Sequence, residues 1–481
     1  MKKKKWIPPV ICLGVLIFLL IVYFVLKNQN TAPEDKEITA EAVTSLTADD
    51  VTEISFYIEG IKYSFIRESG TWYQSDNRDF PANQDKISSM VSTFTDLTAE
   101  RKLTDVENLE NYGLKKPVNT VTLTSSDKNR LTIYIGNKNK DTGSTYIRIS
   151  GDDTVVYVTD TDCTGALPGK LMELAVEENY PDIMSTNITK AEVVNGENSY
   201  TLEKDETTNW KVYDNTGRGY SAEYQTVSTF NSAIAGMAFS GLENYQVEDF
   251  ALYGLDQPSA SINVTYTEEV PVEENDTESD GTIADSDETE TETVIHELII
   301  QIGKQNDEGD YYVRINDSSQ VHLMNSGSFA GILDVKAQDF WSKDLGYTSM
   351  SQVNKLEITY QGQVRQILRN ASEETDENGE TITNVIYTSG EQTLNADQVN
   401  SFFSRFSNMA AQSKDMALTS AESPELKIVV YTDKEKSEIT FTPYNENFYL
   451  AVDAEGRPGL VNKNAVKELI ESYRAIFESE E

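Results

Sequence analysis

The hexapeptide YGLKKP at Tyr112–Pro117 returns as YGLDQP at Tyr253–Pro258. The surrounding sequence returns with it: "IYIGNKNKDTGSTYIRI" follows the first hexapeptide and "IQIGKQNDEGDYYVRI" follows the second. Similarity at a fixed separation is the sequence signature of a repeated structural unit. The two hexapeptides therefore predict a duplicated fold.

Outward from the first hexapeptide, the chain alternates apolar and polar residues in "VTEISFYIEGIKYSFIRESGTWYQ", Val51–Gln74, which predicts a β-hairpin with Trp72 in its return limb. Apolar residues at helical spacing follow over 83–97, with Asn83 placed as a cap. The second copy has the same order, with Trp210 in the place of Trp72 and a helix predicted over 223–237.

A third copy is predicted from about Val353 to Phe477, in which "SAESP" stands where the hexapeptide would be. It has a helical pattern over 396–409 and a closing amphipathic helix over 465–477. We therefore expect an α+β fold of three repeated, mainly antiparallel units, over residues 47–184, 185–347 and 348–481.

The hexapeptides themselves are predicted to be corners that follow a short helical turn. Gly113 and Gly254 would end the turn in a left-handed conformation, and the prolines would prevent helix continuation. Leu114 and Leu255 would pack on the core. The pair between leucine and proline reverses charge between the copies, Lys-Lys against Asp-Gln, and we expect it to face solvent.

The N-terminus predicts a membrane anchor. Four lysines precede Trp6–Leu26, an uncharged and largely apolar run long enough to cross a bilayer as a helix. The positive-inside rule places the lysines in the cytoplasm and the rest of the chain outside it. A cleaved signal peptide would have a shorter apolar core followed at once by small residues, and Cys12 lacks the small preceding residue of a lipoprotein site, so residues 1–27 favour an uncleaved anchor.

Two polar segments are predicted to lack regular structure. Residues 28–46 indicate a flexible stalk, and the acidic residues 268–293 indicate a disordered loop within the second unit. A similar polar insertion, Ser372–Thr381, falls in the third unit's first hairpin. The acidic loop also resembles a calcium-binding loop, although no helices flank it, and its candidate ligands are Asp276, Glu278, Asp280, Asp285 and Asp287.

Composition excludes several classes of function. The chain has 80 acidic and 40 basic residues, for a net charge of −40, which disfavours nucleic-acid binding. Its two cysteines and two histidines, His296 and His322, give no common zinc site, and both histidines lie in strand-like sequence. No phosphate-binding glycine loop and no G-x-S-x-G elbow is present, so we predict no catalytic, metal or cofactor site, and the two matched tryptophans are expected to pack rather than bind.

The order of hairpin, "GTWYQ", helix, "YGLKKP", paired strands and "YIRI" behind one N-terminal anchor resembles the bacterial domain-of-unknown-function family numbered forty-three forty. The resemblance covers about residues 51–345 in two copies; it rests on Trp72, Tyr112, Gly113, Leu114 and Pro117 and on their counterparts Trp210, Tyr253, Gly254, Leu255 and Pro258. It implies a membrane-anchored companion of ABC transporters that resemble the gliding-motility type, with no known catalytic residues.

Three functions remain in view from the sequence. The first is a non-enzymatic, membrane-anchored protein outside the cytoplasm that binds integral transporter subunits or cell-wall components. The alternative is an extracellular module that binds a small molecule or glycan in clefts between units. A cell-wall-active enzyme is the least favoured, because no convergent catalytic group stands out.

Overall fold

Alternation of buried and exposed residues along the strands produces three antiparallel sheets, each covered on one face by helices. The computed structural model describes residues 41–271, 291–346, 349–375 and 381–478. These residues divide into two compact units, of which the first ends at Glu178 and the second begins at Asn179. The first unit holds one large sheet and the second unit holds two. The α+β, antiparallel prediction is confirmed.

The described residues of the first unit, from Glu41 onward, form ten strands, two of which, β1 and β5, make a separate pair. They are β1 (Glu41–Ala42), β2 (Val51–Ile58), β3 (Ile61–Glu68), β4 (Thr71–Gln74), β5 (Thr98–Ala99), β6 (Arg101–Leu103), β7 (Asn119–Ser125), β8 (Arg130–Lys138), β9 (Thr145–Ile149) and β10 (Val156–Thr159).

The second unit contains two sheets of nine strands each, called sheet 2 and sheet 3 below. Sheet 2 consists of β11 (Ile188–Val194), β12 (Tyr200–Lys204), β13 (Trp210–Tyr213), β14 (Gly219–Ser221), β15 (Gly241–Asn244), β16 (Ala260–Pro271), β17 (Thr291–Gln305), β18 (Tyr311–Ile315) and β19 (Val321–Met324). Sheet 3 consists of β20 (Lys355–Tyr360), β21 (Gln363–Thr375), β22 (Thr381–Ser389), β23 (Gln392–Thr393), β24 (Ser413–Lys414), β25 (Leu426–Tyr431), β26 (Lys436–Pro443), β27 (Phe448–Val452) and β28 (Pro458–Asn462).

The three large sheets share one strand order. Sheet 1, in the first unit, runs β4-β3-β2-β7-β8-β9-β10-β6, and sheet 2 runs β13-β12-β11-β16-β17-β18-β19-β15 with β14 added at its edge. Sheet 3 runs β22-β21-β20-β25-β26-β27-β28-β24 with β23 added at the same edge. The repeat predicted from the hexapeptides is thus a shared topology in which every pairing is antiparallel.

The α-helices of the described residues are α1 (Gln84–Thr95), α2 (Tyr224–Ala235), α3 (Ala330–Leu333), α4 (Ala396–Ser407) and α5 (Lys463–Phe477). Short 3-10 helices span Ala48–Asp50, Leu109–Tyr112, Leu171–Leu174, Ser185–Asn187, Gly196–Asn198, Phe250–Tyr253, Ser326–Phe329, Ala337–Phe340 and Met350–Gln352. The predicted helices of the three copies are confirmed within a few residues. Asn83 caps α1 as predicted, because its Oδ1 accepts from the backbone N of Lys86 at 3.1 Å.

Each helix buries its apolar stripe against the inner face of its own sheet. In the second unit, Val227, Phe230 and Ile234 of α2 join the core of sheet 2. The aromatic side chains of α4 and the apolar face of α5 join the core of sheet 3. The opposite face of each sheet carries the polar half of the alternation.

Several predicted boundaries are wrong. The segment Val51–Gln74 forms three strands instead of one hairpin, since a turn at Ser69 and Gly70, both with positive φ, places Trp72 on β4. The predicted stalk ends early, because β1 pairs with β5 in the first unit.

Both predicted loops are shorter than expected, because strand pairing extends into them. Backbone pairing of β16 with β17 reaches Pro271 and Thr291, so both ends of the predicted acidic loop are strand. The insertion of the third copy begins within β21, and its last residue, Thr381, is the first residue of β22. The calcium-loop candidates Asp276 to Asp287 and the predicted anchor Trp6–Leu26 lie outside the described residues. Across the described ranges, no helix is long and apolar enough to cross a bilayer.

Candidate functional site

The repeated hexapeptides form equivalent corners in sheets 1 and 2. The 3-10 helices Leu109–Tyr112 and Phe250–Tyr253 end at Gly113 and Gly254, whose φ angles are +72° and +69°. Non-glycine residues pay a steric cost in this left-handed region. The predicted left-handed glycines are confirmed.

The remaining positions of the corners also match the prediction. Leu114 and Leu255 are buried, at 2% and 3% exposure. The charge-reversed pair in each copy is exposed, and Pro117 and Pro258 precede β7 and β16. The hexapeptides are therefore structural corners whose variable side chains face solvent.

A second glycine completes each corner, and the sequence reasoning missed it. A Cβ on Gly136 of β8 would lie 2.2 Å from the carbonyl oxygen of Tyr112. The same distance separates a Cβ on Gly303 of β17 from the carbonyl oxygen of Tyr253. Strand register shifts at both places, next to the glycine. The signal was present as the "IG" that ends both "IYIG" and "IQIG".

The matched tryptophans are buried. Trp72 is 2% exposed, and its Nε1 donates to the Ser88 hydroxyl at 3.2 Å. The Gln84 side chain accepts from the Trp72 backbone N at 2.7 Å and donates to its carbonyl at 3.0 Å. Trp210 is 6% exposed at the corresponding position.

Within the described ranges, the histidine and cysteine side chains are not grouped into a catalytic or metal-binding cluster. His322 is fully buried on β19 and stacks on Phe239, while His296 on β17 lies 3.0 Å from Glu268. Burial raises the pKa of the free thiol of Cys163 to about 12. Among the described residues, no cluster of three or more His, Cys, Asp or Glu side chains is placed to hold a metal ion.

What the structure does assemble is a buried ionic cluster in the second unit, made of Lys414, Asp453 and Arg457. The Asp453 carboxylate accepts from Lys414 Nζ at 2.7 Å and from Arg457 Nε at 2.8 Å. The three side chains are 3%, 1% and 2% exposed. Burial lowers the pKa of Lys414, and the hydrogen bond to Asp453 opposes that shift.

This ionic cluster joins sheet 3 to the edge of sheet 2. Arg457 lies in the turn after β27 and donates to the carbonyl of Ser221, on edge strand β14, at 2.9 Å. In the same turn, Glu455 accepts from the Ser221 hydroxyl at 2.7 Å and from Arg457 at 2.7 Å. Arg218 donates to the Glu455 carbonyl at 2.9 Å. The Glu455 carboxylate also accepts from the Ser221 backbone N at 3.0 Å, so the turn satisfies a backbone donor of the edge strand.

The cluster is suited to holding two sheets together. Asp453 pairs with two buried cations, so its removal leaves both without their anion, and removal of Arg457 leaves Glu455 without its cation. Sequence reasoning missed it, because its members are up to 43 residues apart in sequence and Arg457 lies 236 residues after Ser221. The available signal was "DAEGRP", Asp453–Pro458, where the second copy has the less charged "NDSSQV".

An open cleft of about 540 Å³ lies beside the cluster, between sheets 2 and 3. Sheet 2 contributes Asp205, Asn209, Trp210 and Tyr224 among others, and sheet 3 contributes Glu435 and Lys436. A smaller pocket of about 80 Å³ shares Trp210 and Tyr224 with the cleft. The volume of the cleft falls in the range of small-ligand sites.

A protein-family model described as "Domain of unknown function (DUF4340)" matches residues 72–242 and, in a second copy, residues 215–426. The matches begin at β4 and extend to the first residue of β25, so they reach into the third sheet, beyond the range in which the sequence resemblance was expected. Comparison with curated proteins and with solved structures gave no match.

Proposed function

The chain belongs to this family of domains of unknown function, and we propose that it is a non-enzymatic, membrane-anchored binding protein outside the cytoplasm. In this proposal residues 1–27 hold it in the membrane. The partner is an integral subunit of an ABC-type transporter or another component of the cell envelope.

The observation that carries the proposal is a set of exposed aliphatic side chains on the open faces of sheets 2 and 3. On sheet 2, Val194, Ile295 and Ile299 are 44%, 68% and 40% exposed. They share a face with the polar residues of β16, because Ile299 is directly opposite Asn263, and Val194 is opposite Ser261. The buried residues of the same strands point to the other face.

Sheet 3 repeats this feature. Val364 and Leu368 on β21 and Ile386 on β22 are 57%, 38% and 54% exposed. The backbone pairing places Ile386 opposite Asn370, which shares the alternation of Leu368. Aliphatic side chains grouped on an open sheet face suit contact with another protein better than catalysis, which needs a concave site.

Site-specific cross-linking tests the partner. A photo-reactive residue placed at Ile299 or at Leu368 in the full chain should form adducts with integral transporter subunits in native membranes. A photo-reactive residue at Leu252 is the matched control, since Leu252 is 63% exposed but lies in a 3-10 helix and outside the open faces. Adducts that appear equally from Leu252, or only with soluble proteins, would contradict the proposal.

Fractionation tests the anchor separately. The full chain should resist alkaline extraction from membranes and be digested by protease added outside the cell. A chain without residues 1–27 should be released. If the full chain is extracted as readily as the shortened one, the anchor is refuted, whatever the cross-linking shows.

A further inference from the structure

Two cavities of the second unit meet at the same pair of aromatic side chains. Trp210 and Tyr224 line both the 540 Å³ cleft and the 80 Å³ pocket. Trp210 is 6% exposed and fixed in the core, with Lys204 Nζ 5.3 Å from its ring center. Tyr224, the first residue of α2, is 69% exposed. The pair therefore combines a buried, fixed aromatic ring, Trp210, with a solvent-exposed one, Tyr224.

The small pocket contains a buried hydrogen-bond acceptor without a partner. Asn231 of α2 is 4% exposed, and its Oδ1 has no hydrogen bond. Besides the aromatic pair, the pocket is lined by Lys204 and by three residues with hydroxyl groups, Ser185, Thr186 and Ser228. An unpaired buried carbonyl of this kind costs about 1–3 kcal/mol, so a molecule that brings a donor to it gains affinity.

The equivalent place in the first unit is closed. Helices α1 and α2 align residue for residue from their first positions, so Gln84 corresponds to Tyr224 and Val91 corresponds to Asn231. Gln84 bridges the two backbone groups of Trp72, and Val91 is buried in the core. The third copy has Phe403 at the position of Asn231, again apolar and buried. Only the second of the three repeats has a polar side chain at this position.

The charges around the pair restrict the ligand. Acidic residues, among them Asp205, Asp344 and Glu435, line the cleft together with the basic residues Lys211, Lys436 and Arg457. Lys204 lines the small pocket. Hydrogen bonds, chiefly from the Thr207 hydroxyl, lower the pKa of Asp205, so its carboxylate is ionised at neutral pH. Because charges of both signs line the two cavities, neither a strong anion nor a strong cation is favoured over a neutral ligand whose hydroxyl groups can donate to Asn231 Oδ1.

We infer that the Trp210–Tyr224 pair and Asn231 form the binding site of a neutral glycan. One sugar hydroxyl donates to Asn231 Oδ1 in the small pocket, and the apolar face of a sugar ring packs on Tyr224. The cleft has room for the following units, whose hydroxyls reach the carboxylates and the amide of Asn209. The site does not depend on the transporter proposal, since it lies within the second unit.

Calorimetry of the full chain tests this inference. The protein is kept in a polyoxyethylene detergent, which carries no sugar, and titrated with chitotriose, cellotriose and maltotriose. At least one trisaccharide should bind saturably. The double variant Tyr224→Gln/Asn231→Val should weaken that binding at least tenfold, because it installs polar and apolar side chains like those that close the site in the first unit.

Two controls keep the result decisive. Leu252→Gln, at an exposed position outside the cleft, should bind with unchanged affinity. If circular dichroism shows that the double variant misfolds, Tyr224→Ala replaces it, since that side chain is exposed and outside the core. Failure of all three trisaccharides to bind, or binding that the pocket variants retain within twofold, would overturn the inference.

Discussion

Sheets 2 and 3 have the same strand order but are stabilised at different places. Sheet 2 has the corner at Tyr253–Pro258, and Gly303 on β17 makes room for it. The carbonyls of Ile302 and Phe441 accept equivalent backbone hydrogen bonds in the two sheets, so Gly303 corresponds to Thr442 on β26 of sheet 3. In sheet 3, "SAESP" replaces the corner. Sheet 3 therefore lacks both the corner and the glycine, which indicates that the glycine is needed only where a corner packs against the strand.

The turn between β27 and β28 of sheet 3 also differs from the turn between β18 and β19 of sheet 2, and here it is sheet 3 that has the additional contacts. In sheet 3 the turn carries Asp453, Glu455 and Arg457 and joins the edge of sheet 2. The turn of sheet 2 has Asn316, Ser318 and Gln320 at the corresponding positions. The comparison shows that sheets with the same topology can be stabilised either by a local backbone contact, as in sheet 2, or by ionic contacts between distant residues, as in sheet 3.

The largest effect is expected from the ionic cluster. Arg457→Met removes one partner of a buried charge group and should destabilise the contact with β14 by about 3–5 kcal/mol. Native-state hydrogen exchange should show loss of protection in peptides that contain Ser221. Gln320→Met, at the matching turn position of sheet 2, should leave those peptides unchanged. Equal protection in Arg457→Met and the wild type would show that the cluster does not hold the two sheets together.

The next effect concerns the corner glycine. Gly303→Ala places a Cβ 2.2 Å from the Tyr253 carbonyl oxygen and should destabilise sheet 2 by about 1–3 kcal/mol. The matched change in sheet 3, Thr442→Ala, should cost less than about 1 kcal/mol, because no corner packs there. Hydrogen exchange of peptides spanning Phe250–Leu255 and β26 measures both. A larger loss from Thr442→Ala would contradict the steric account.

The smallest effect is a pH dependence that arises from Tyr449 of sheet 3. Burial, together with the Tyr449 hydroxyl's hydrogen bond to Glu425 at 2.6 Å, raises the pKa of Tyr449 above its ordinary value of 10.0. A raised folded-state pKa gives a contribution that is complete below pH 10 and decreases as the pH rises further. The loss should be at most about 1.4 kcal/mol per pH unit, the limit for a single proton. Urea unfolding between pH 9 and 11 should be less pH-dependent in Tyr449→Phe; an unchanged slope would exclude this tyrosine as the source.

The sequence predicted much of the fold because the repeat makes local signals visible more than once. The helix spacing at Val227, Phe230 and Ile234, the left-handed glycines and the buried tryptophans all follow from short-range patterns. Boundaries were less accurate where a strand continued into polar sequence, as in β16 and β17. Backbone pairing between strands tolerates Thr and Glu at those positions, and composition alone suggested disorder.

The candidate sites could not be predicted in the same way. Asn231 has an ordinary place in a helical sequence, and only its burial in the folded unit leaves its Oδ1 without a partner. Lys414 and Asp453 belong to a charge-rich chain in which any acid and any base could pair. The pairing depends on which side chains the fold removes from water.

By itself, the sequence determined the repeated α+β architecture, the left-handed corners and the helices, because each depends on residues close together in the chain. It also determined the strongly acidic charge, which depends on composition alone. Only the tertiary structure decided that sheets 2 and 3 share a buried ionic cluster and that Trp210, Tyr224 and Asn231 border a common cavity. The ionic cluster meets Ser221 across more than 230 residues of sequence. The energies of both sites depend on burial, which no local pattern specifies.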